Sequence, residues 1–394
     1  MDQKETEKTV GLALSLIGRA AGFAPRPPAA EVSSEGALSP GEGELLAAFR
    51  LARRHDLGHL AAHAILGEGL FPKESEVAGK LEGVRFTAVY RAERLTAECR
   101  RVSALFEEAQ IRHIPLKGAV LRELYPEGWM RTSSDVDILV QGEDFDRASS
   151  VLAAHGYEAG ERGGHDVVYK GPAGIPVELH FSLIEEGISG KIAEPLHRIW
   201  DSASPVAKGR WECRLSEGAF YYYHIAHMAK HVLHGGCGIR PFLDLLVMRG
   251  RIRMDRELLA AGGLLPLAEA AEALADAWFL GGDLSPTLRR LARFVLAGGV
   301  YGTVENRVVA SKGKKGGRLG YILSRLFLPY DNLKEFFPIL RRQKWLTPFC
   351  QVVRWFRMLG DGRMNRARRE LAATGTADPE AVKDAELLMR ELSL

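Results

Sequence analysis

Cysteine is scarce in this chain. The four are Cys99, Cys213, Cys237 and Cys350, far apart and without a CxxC pair. Such spacing argues against a disulfide framework and for reduced thiols in a cytoplasmic protein. No run of eighteen uncharged apolar residues occurs, so no membrane span is expected. The start, "MDQKETEK", has mixed charge, and the apolar "VGLALSLIG" behind it is interrupted by Arg19. Neither the basic start nor the cleavage site of a signal peptide is there. Charge of one sign is missing too: 53 basic side chains face 50 acidic ones, net +3. That balance speaks against a surface that is all nucleic-acid footprint and leaves room for a local basic patch. There is no internal repeat.

What is present is ordinary globular composition, 46% hydrophobic and 26% charged over 394 residues. The length suggests two or three domains. A Pro-, Gly- and Ser-rich stretch at 24–43 reads as a linker closing an N-terminal segment, 1–43. Helical patterns fill 44–110: two short helices broken near Gly58, then a long one from about Ser75 to Gln110. At Ile111 the period changes. "IRHIPL", "DVDILV", "HDVVYK" and "IPVELHF" read as strands, the last two joined by the turn "GPAG". Short helices follow the first two strands, and Gly156 can end the second helix in the left-handed conformation. Residues 111–187 therefore read β-α-β-α-β-β. From about Ile188 the expectation is almost wholly helical, with helices at 217–234, 241–250, 255–278, 285–298 and from 318 onward. A final helix has Asp378 as N-cap and Pro379 at its first position. The fold class is α+β: a small mixed sheet flanked by helices, between an N-terminal helical part and a large C-terminal one, 188–394.

The chemistry-bearing stretch is "RTSSDVDILV". Side chains alternate along a strand, so Asp135 and Asp137 point the same way. In "VELHF", Glu178 sits among apolar neighbours and can join them if the two strands pair. Three carboxylates that close would raise one another's pKa, and a divalent cation relieves this. Oxygen-only ligands favour Mg²⁺ or Mn²⁺, the ions of phosphoryl and nucleotidyl transfer. Upstream, "PLKGAV" ends a strand with Gly118 opening a helix, where backbone can approach a phosphate. Lys117 and Arg131 are cations within reach of a triphosphate, and Ser134 lies beside the aspartates. Taken singly, Asp135 and Asp137 read better as a strand edge whose acids face water or pair with Arg131. The order of all the pieces is more specific.

That order resembles the polymerase-beta-like nucleotidyltransferase superfamily. More closely, "LKGAVLRELYP", "RTSSDVDILV", "VELH", "HIAHMAKHVLHGGCGIRPFLDL" and "FLPYDNLKEFFPILRRQKWLTPF" look like a poorly characterised bacterial nucleotidyltransferase family, from about residue 45 to 360. The resemblance implies that Asp135 and Asp137 hold both metals and that Glu178 is the third ligand or base. It implies that the loop at Gly118 holds the triphosphate of an NTP, ATP first among them, for transfer of its NMP to an acceptor: a small molecule, a protein or an RNA. One departure stands out. The superfamily commonly has Gly-Gly or Gly-Ser where this chain has Gly118-Ala119, so a serine hydroxyl is missing from the phosphate loop.

"HIAHMAKHVLH" sets His224, His227, His231 and His234 within about 80° of one another on a helix. A straight helix cannot close a tetrahedron around one ion with ligands over three turns, so structural zinc is not expected here. His227, Lys230 and His231 are instead candidates for contacts to nucleotide phosphates or for taking the acceptor's proton. The basic run "SKGKKGGR" has no interleaved aromatics to stack bases and reads as a solvated loop. Two other readings stay open: a nucleotide-binding module that no longer turns over, and a histidine-helix metalloprotein in which the DxD is incidental.

Overall fold

The computed structural model describes residues 3–23, 40–185, 187–300, 302, 306, 330, 333, 337–360 and 379–394. Most of the linker, the basic loop at 311–320 and the N-cap Asp378 lie outside them. The chain forms two compact units: residues 1–230 with 238–288, and residues 231–237 with 289–394.

The first unit opens with α1 (Gln3–Ala20), α2 (Glu42–Arg54), α3 (Gly58–Gly67) and the long α4 (Glu76–Glu108). Ser75 caps α4 by accepting a hydrogen bond from the Ala78 amide at 3.1 Å, as its side chain at that position predicts. Next come β1 (His113–Pro115), the one-turn α5 (Gly118–Leu121), β2 (Val136–Val140), α6 (Phe145–Ala154), β3 (Glu158–Arg162), β4 (Asp166–Lys170) and β5 (Pro176–His180). Their sheet has the order β1-β2-β5-β4-β3; β2 and β5 run parallel, and the other neighbours are antiparallel. Gly174 turns the β4–β5 hairpin with φ 71°, and Gly156 ends α6 with φ 81°.

The pleat explains which face does what. Val136, Ile138, Val177 and Leu179 enter the core formed with Phe106 of α4 and Leu152 of α6. Burying each of them fully is worth about 1.5–3 kcal/mol. Their alternates Asp137, Glu178 and His180 are therefore turned to the opposite face.

Three expectations need correcting. β3, "EAGER", is exposed along its whole length; it is a charged edge strand with no apolar alternation to announce it. The part after Ile188 is not all helix. After α7 (Ala193–His197), the strands β6 (Ala203–Pro205) and β7 (Cys213–Leu215) pair antiparallel, and the His113 amide donates to the Trp211 carbonyl at 3.2 Å. Then follow α8 (Glu217–Leu233), α9 (Arg240–Met248), α10 (Arg256–Ala261), α11 (Leu265–Asp276) and α12 (Pro286–Gly298). The single helix expected at 255–278 is thus two, parted at Gly263, whose φ of 72° breaks the helical path.

In the second unit, Leu333, Leu340 and Cys350 form a small buried cluster, and the Tyr330 hydroxyl donates to the Leu340 carbonyl at 2.7 Å. Arg290 pairs with Glu391 of the last helix, Pro379–Glu391. Among the described residues no helix is long and apolar enough to cross a membrane.

Candidate active site

Parallel pairing of β2 and β5 sets Asp137 directly beside Glu178 in register. Asp135 precedes β2, with the Ser134 hydroxyl donating to its Oδ2 at 2.9 Å. The structure thus sets two of the three carboxylates that the sequence singled out, Asp137 and Glu178, side by side, with Asp135 near enough for its charge to act on Glu178. Their electrostatics differ. Burial pushes the Glu178 carboxyl up to about 7, and the charges of Asp137 and Asp135 add to this. Asp135 is raised by burial and by Asp137. Asp137 is only 4% exposed. Burial alone would raise it, but Lys117 and His180 outweigh that and hold it well below the usual carboxylate range. Both reach one oxygen: Lys117 Nζ is 2.9 Å and His180 Nε2 3.0 Å from Asp137 Oδ1. His180 Nε2 is also 3.6 Å from Glu178 Oε2.

Lys117 sits between β1 and α5 with φ 43°, in the left-handed region that non-glycine residues seldom occupy. Despite burial, Asp137, Tyr223 and Glu185 raise its pKa well above the usual lysine value. Gly118 is closely surrounded. A Cβ there would lie 3.0 Å from both the Ser133 hydroxyl and Arg122 Nη1. Ser133 accepts from Arg122 Nη1 at 2.9 Å and donates to the Asp135 carbonyl at 3.1 Å.

The sequence reading missed two residues. His180 stands two positions after Glu178, so strand alternation alone puts it on the same face. Glu185 lies in the loop after β5, where no pattern marks it. It is buried, accepts from His227 Nδ1 at 2.7 Å and pairs with Lys230 of the same helix. Burial would raise Glu185, but His227 and the lysines around it bring it well below the usual range. Burial and the Lys117 charge push His227 down to about 4. The imidazole is therefore neutral at pH 7 and donates its Nδ1 proton to the carboxylate.

Arg131 is engaged elsewhere. Its Nε donates to Asp244 Oδ1 at 2.7 Å, and the Tyr125 hydroxyl reaches the same oxygen at 2.8 Å, all three buried. His224 is buried against the Pro241 carbonyl at 3.3 Å. His231 is one turn beyond His227 on α8, in the second unit.

Among the described residues, two groups place three ligand-type atoms within 4.8 Å of one another: Asp137, Glu178 and His180, and His165, Asp166 and His180. The first fits a divalent cation, because it offers two carboxylates and an imidazole. A cationic ammonium, that of Lys117, already rests on one of those carboxylates. A family model described as uncharacterised nucleotidyltransferase matches residues 43–273, more than half of the chain and the whole five-stranded sheet. No curated protein and no solved structure matches.

Proposed function

The chain belongs to this uncharacterised nucleotidyltransferase family, and on that premise we propose that it transfers a nucleoside monophosphate from an NTP, ATP first among them, to an acceptor hydroxyl. The observation that carries this reading is the register of Asp137 against Glu178 on adjacent parallel strands, with Glu178 raised to about 7. A site that holds carboxylates against their own repulsion is one that a Mg²⁺ or Mn²⁺ ion completes.

Asp135, Asp137 and Glu178 would hold that ion. When bound, it neutralises charge that builds on the phosphoryl oxygens. The chain's own residues do the rest. Lys117 leaves Asp137 for the triphosphate, with Lys230 as a further cation. Glu178 is 26% exposed and can accept the acceptor's proton. The acceptor oxygen bonds to the α-phosphorus while the bond to the bridging oxygen breaks, and pyrophosphate leaves with those electrons.

The test is incubation with α-³²P-NTPs and fractionated lysate. Label should pass to one fraction from the α position, never from the γ position, with pyrophosphate released in equal amount. Transfer undiminished in Asp137→Asn would sink the proposal. One observation favours a second reading, a binding module without turnover: Lys117 already neutralises Asp137. Metal-dependent NTP binding without pyrophosphate release would select it.

A further inference from the structure

β5 lies between β2 and β4, so His180 has a neighbouring strand on each side. On the β2 side its Nε2 is 3.0 Å from Asp137 Oδ1. An ionised carboxylate only accepts, so Nε2 carries the proton, and the lone pair of the neutral ring is on Nδ1. His180 is 2% exposed. Its Nδ1 is buried and has no hydrogen-bond partner among the described residues. A buried acceptor left so is costly, and an ordered water or an ion is what answers it.

On the β4 side stands Asp166, directly opposite His180 in register and so on the same face of the sheet. The chain bends at Gly164 and His165 just before β4, and the bend brings the His165 ring to that face. Its Nε2 is 3.8 Å from Asp166 Oδ1, and the ring stacks on His180 with 5.9 Å between centroids and 22° between planes. The amides of Phe181 and Ser182 both donate to the His165 carbonyl, at 3.0 and 3.2 Å, and tie the bend to the end of β5. One ligand-type atom from each of His165, Asp166 and His180 lies within 4.8 Å of the other two. With Nε2 engaged by Asp137, Nδ1 is the nitrogen that His180 has to offer. Tetrahedral bonds of about 2.0–2.1 Å put ligands about 3.4 Å apart, so small side-chain rotations bring the three onto one ion. His165 and Asp166 are half-buried, which leaves water access as a fourth ligand. Burial lowers the pKa of His165, so it too offers a lone pair at neutral pH.

We propose that His165, Asp166 and His180 Nδ1 form a second cation site, on the β4 side of the candidate active site, for a first-row divalent ion, zinc foremost. Two imidazoles and a carboxylate suit such an ion and do not suit Mg²⁺, which takes oxygen ligands. The site is separate from that of the nucleotidyl-transfer ion and stands whether or not the chain transfers nucleotides. Asp137 is then the carboxylate that a metal-bound histidine commonly holds on its other nitrogen, fixing the tautomer and making Nδ1 a better ligand. In return, an ion on Nδ1 fixes the His180 ring and, through Nε2, the orientation of Asp137. His180 is a positioning residue for the carboxylates and a ligand on its far side.

The test reads the metal and not the reaction. The full chain, stripped with chelator, is titrated with Zn²⁺ in an excess of Mg²⁺. The imidazole nitrogens of ¹⁵N-histidine-labelled protein are followed by long-range proton–nitrogen correlation. The expected result is one zinc per chain, with His180 metallated at Nδ1 and still protonated at Nε2. His165→Gln and Asp166→Asn should each weaken zinc binding by about 10-fold or more, at least what an outer-shell partner of a ligand is worth. The nitrogen shifts of the wild-type protein give the answer even if a variant fails to fold. Zinc that leaves the His180 nitrogens unmoved, or that either variant holds as tightly as the wild type, is bound elsewhere, as on the histidines of α8, and overturns the inference. Metallation of His180 at Nε2 overturns it too, as does a wild-type chain that binds no zinc, in which case water answers Nδ1.

Discussion

Lys117 Nζ rests 2.9 Å from Asp137 Oδ1 at the floor of the site, with the carboxylate almost wholly out of water. The lysine holds the place of a cation. Removing one partner of a buried pair leaves the other charge uncompensated, at a cost of about 3–5 kcal/mol. Lys117→Met should therefore melt lower than wild type in chelator. Excess Mn²⁺ should restore much of the loss, because an ion can take the ammonium's place. NTP affinity should fall even with metal present, since Lys117 is also the cation nearest the triphosphate's expected path. Thermal melts with EDTA and with Mn²⁺ check this; equal melting shifts in both would remove Lys117 from the role.

Arg131 makes a contrasting case. It is buried with Asp244, whose Oδ2 has no hydrogen-bond partner among the described residues. Arg131→Met strands that carboxylate, so stability should drop by about 3–5 kcal/mol. NTP affinity of the folded protein should stay within about threefold. Denaturant unfolding and calorimetry give the two numbers. A tenfold loss of affinity would return Arg131 to the nucleotide site where the sequence placed it.

The difference between Lys117 and Arg131 shows what could be read in advance. Strand period is local, so the shared face of Asp135, Asp137 and Glu178 was legible once two strands were recognised. So was His180, by the same alternation, though its imidazole was passed over in a search for oxygens. The partner of Arg131 lies 113 residues away on α9, and Glu185 meets α8 from a loop. Such pairings depend on tertiary packing, for which a single sequence has no period. β3 escaped for a simpler reason: an edge strand exposed on both faces shows no hydrophobic alternation.

Glu178→Gln keeps shape and removes charge. Glu178 is on a different strand from the two aspartates and is the most accessible to an incoming acceptor of the two acids in register. NTP affinity should remain near normal, with nucleotidyl transfer slower by roughly 10²-fold or more, the scale of a lost general base. Single-turnover transfer measures this. A wild-type rate in the variant would take Glu178 out of the chemistry.

Glu185 and His227 make stability depend on pH in two separate windows. His227 is pushed from 6.5 down to about 4 in the fold. A depressed histidine binds its proton more readily in the unfolded chain, so its contribution is complete above about pH 6.5. As pH falls from there toward about 4 the unfolded chain is protonated first, and roughly 2–3 kcal/mol is lost. Glu185 is depressed as a carboxylate, so its contribution is present above 4.5 and is lost below it as pH falls toward its folded value. His227→Gln removes the upper window and, because His227 also helps to depress Glu185, narrows the lower one. Burial also depresses His59, His113 and His224. The variant's stability should therefore still decline between pH 6.5 and 4.5, but with a slope shallower by one proton, about 1.4 kcal/mol per pH unit. Urea unfolding at pH 7, 5.5 and 4.5 on both proteins tests it. Parallel curves for wild type and variant over that interval would mean that His227 is not held neutral by its surroundings, and that the Glu185 contact is a bond to an imidazolium.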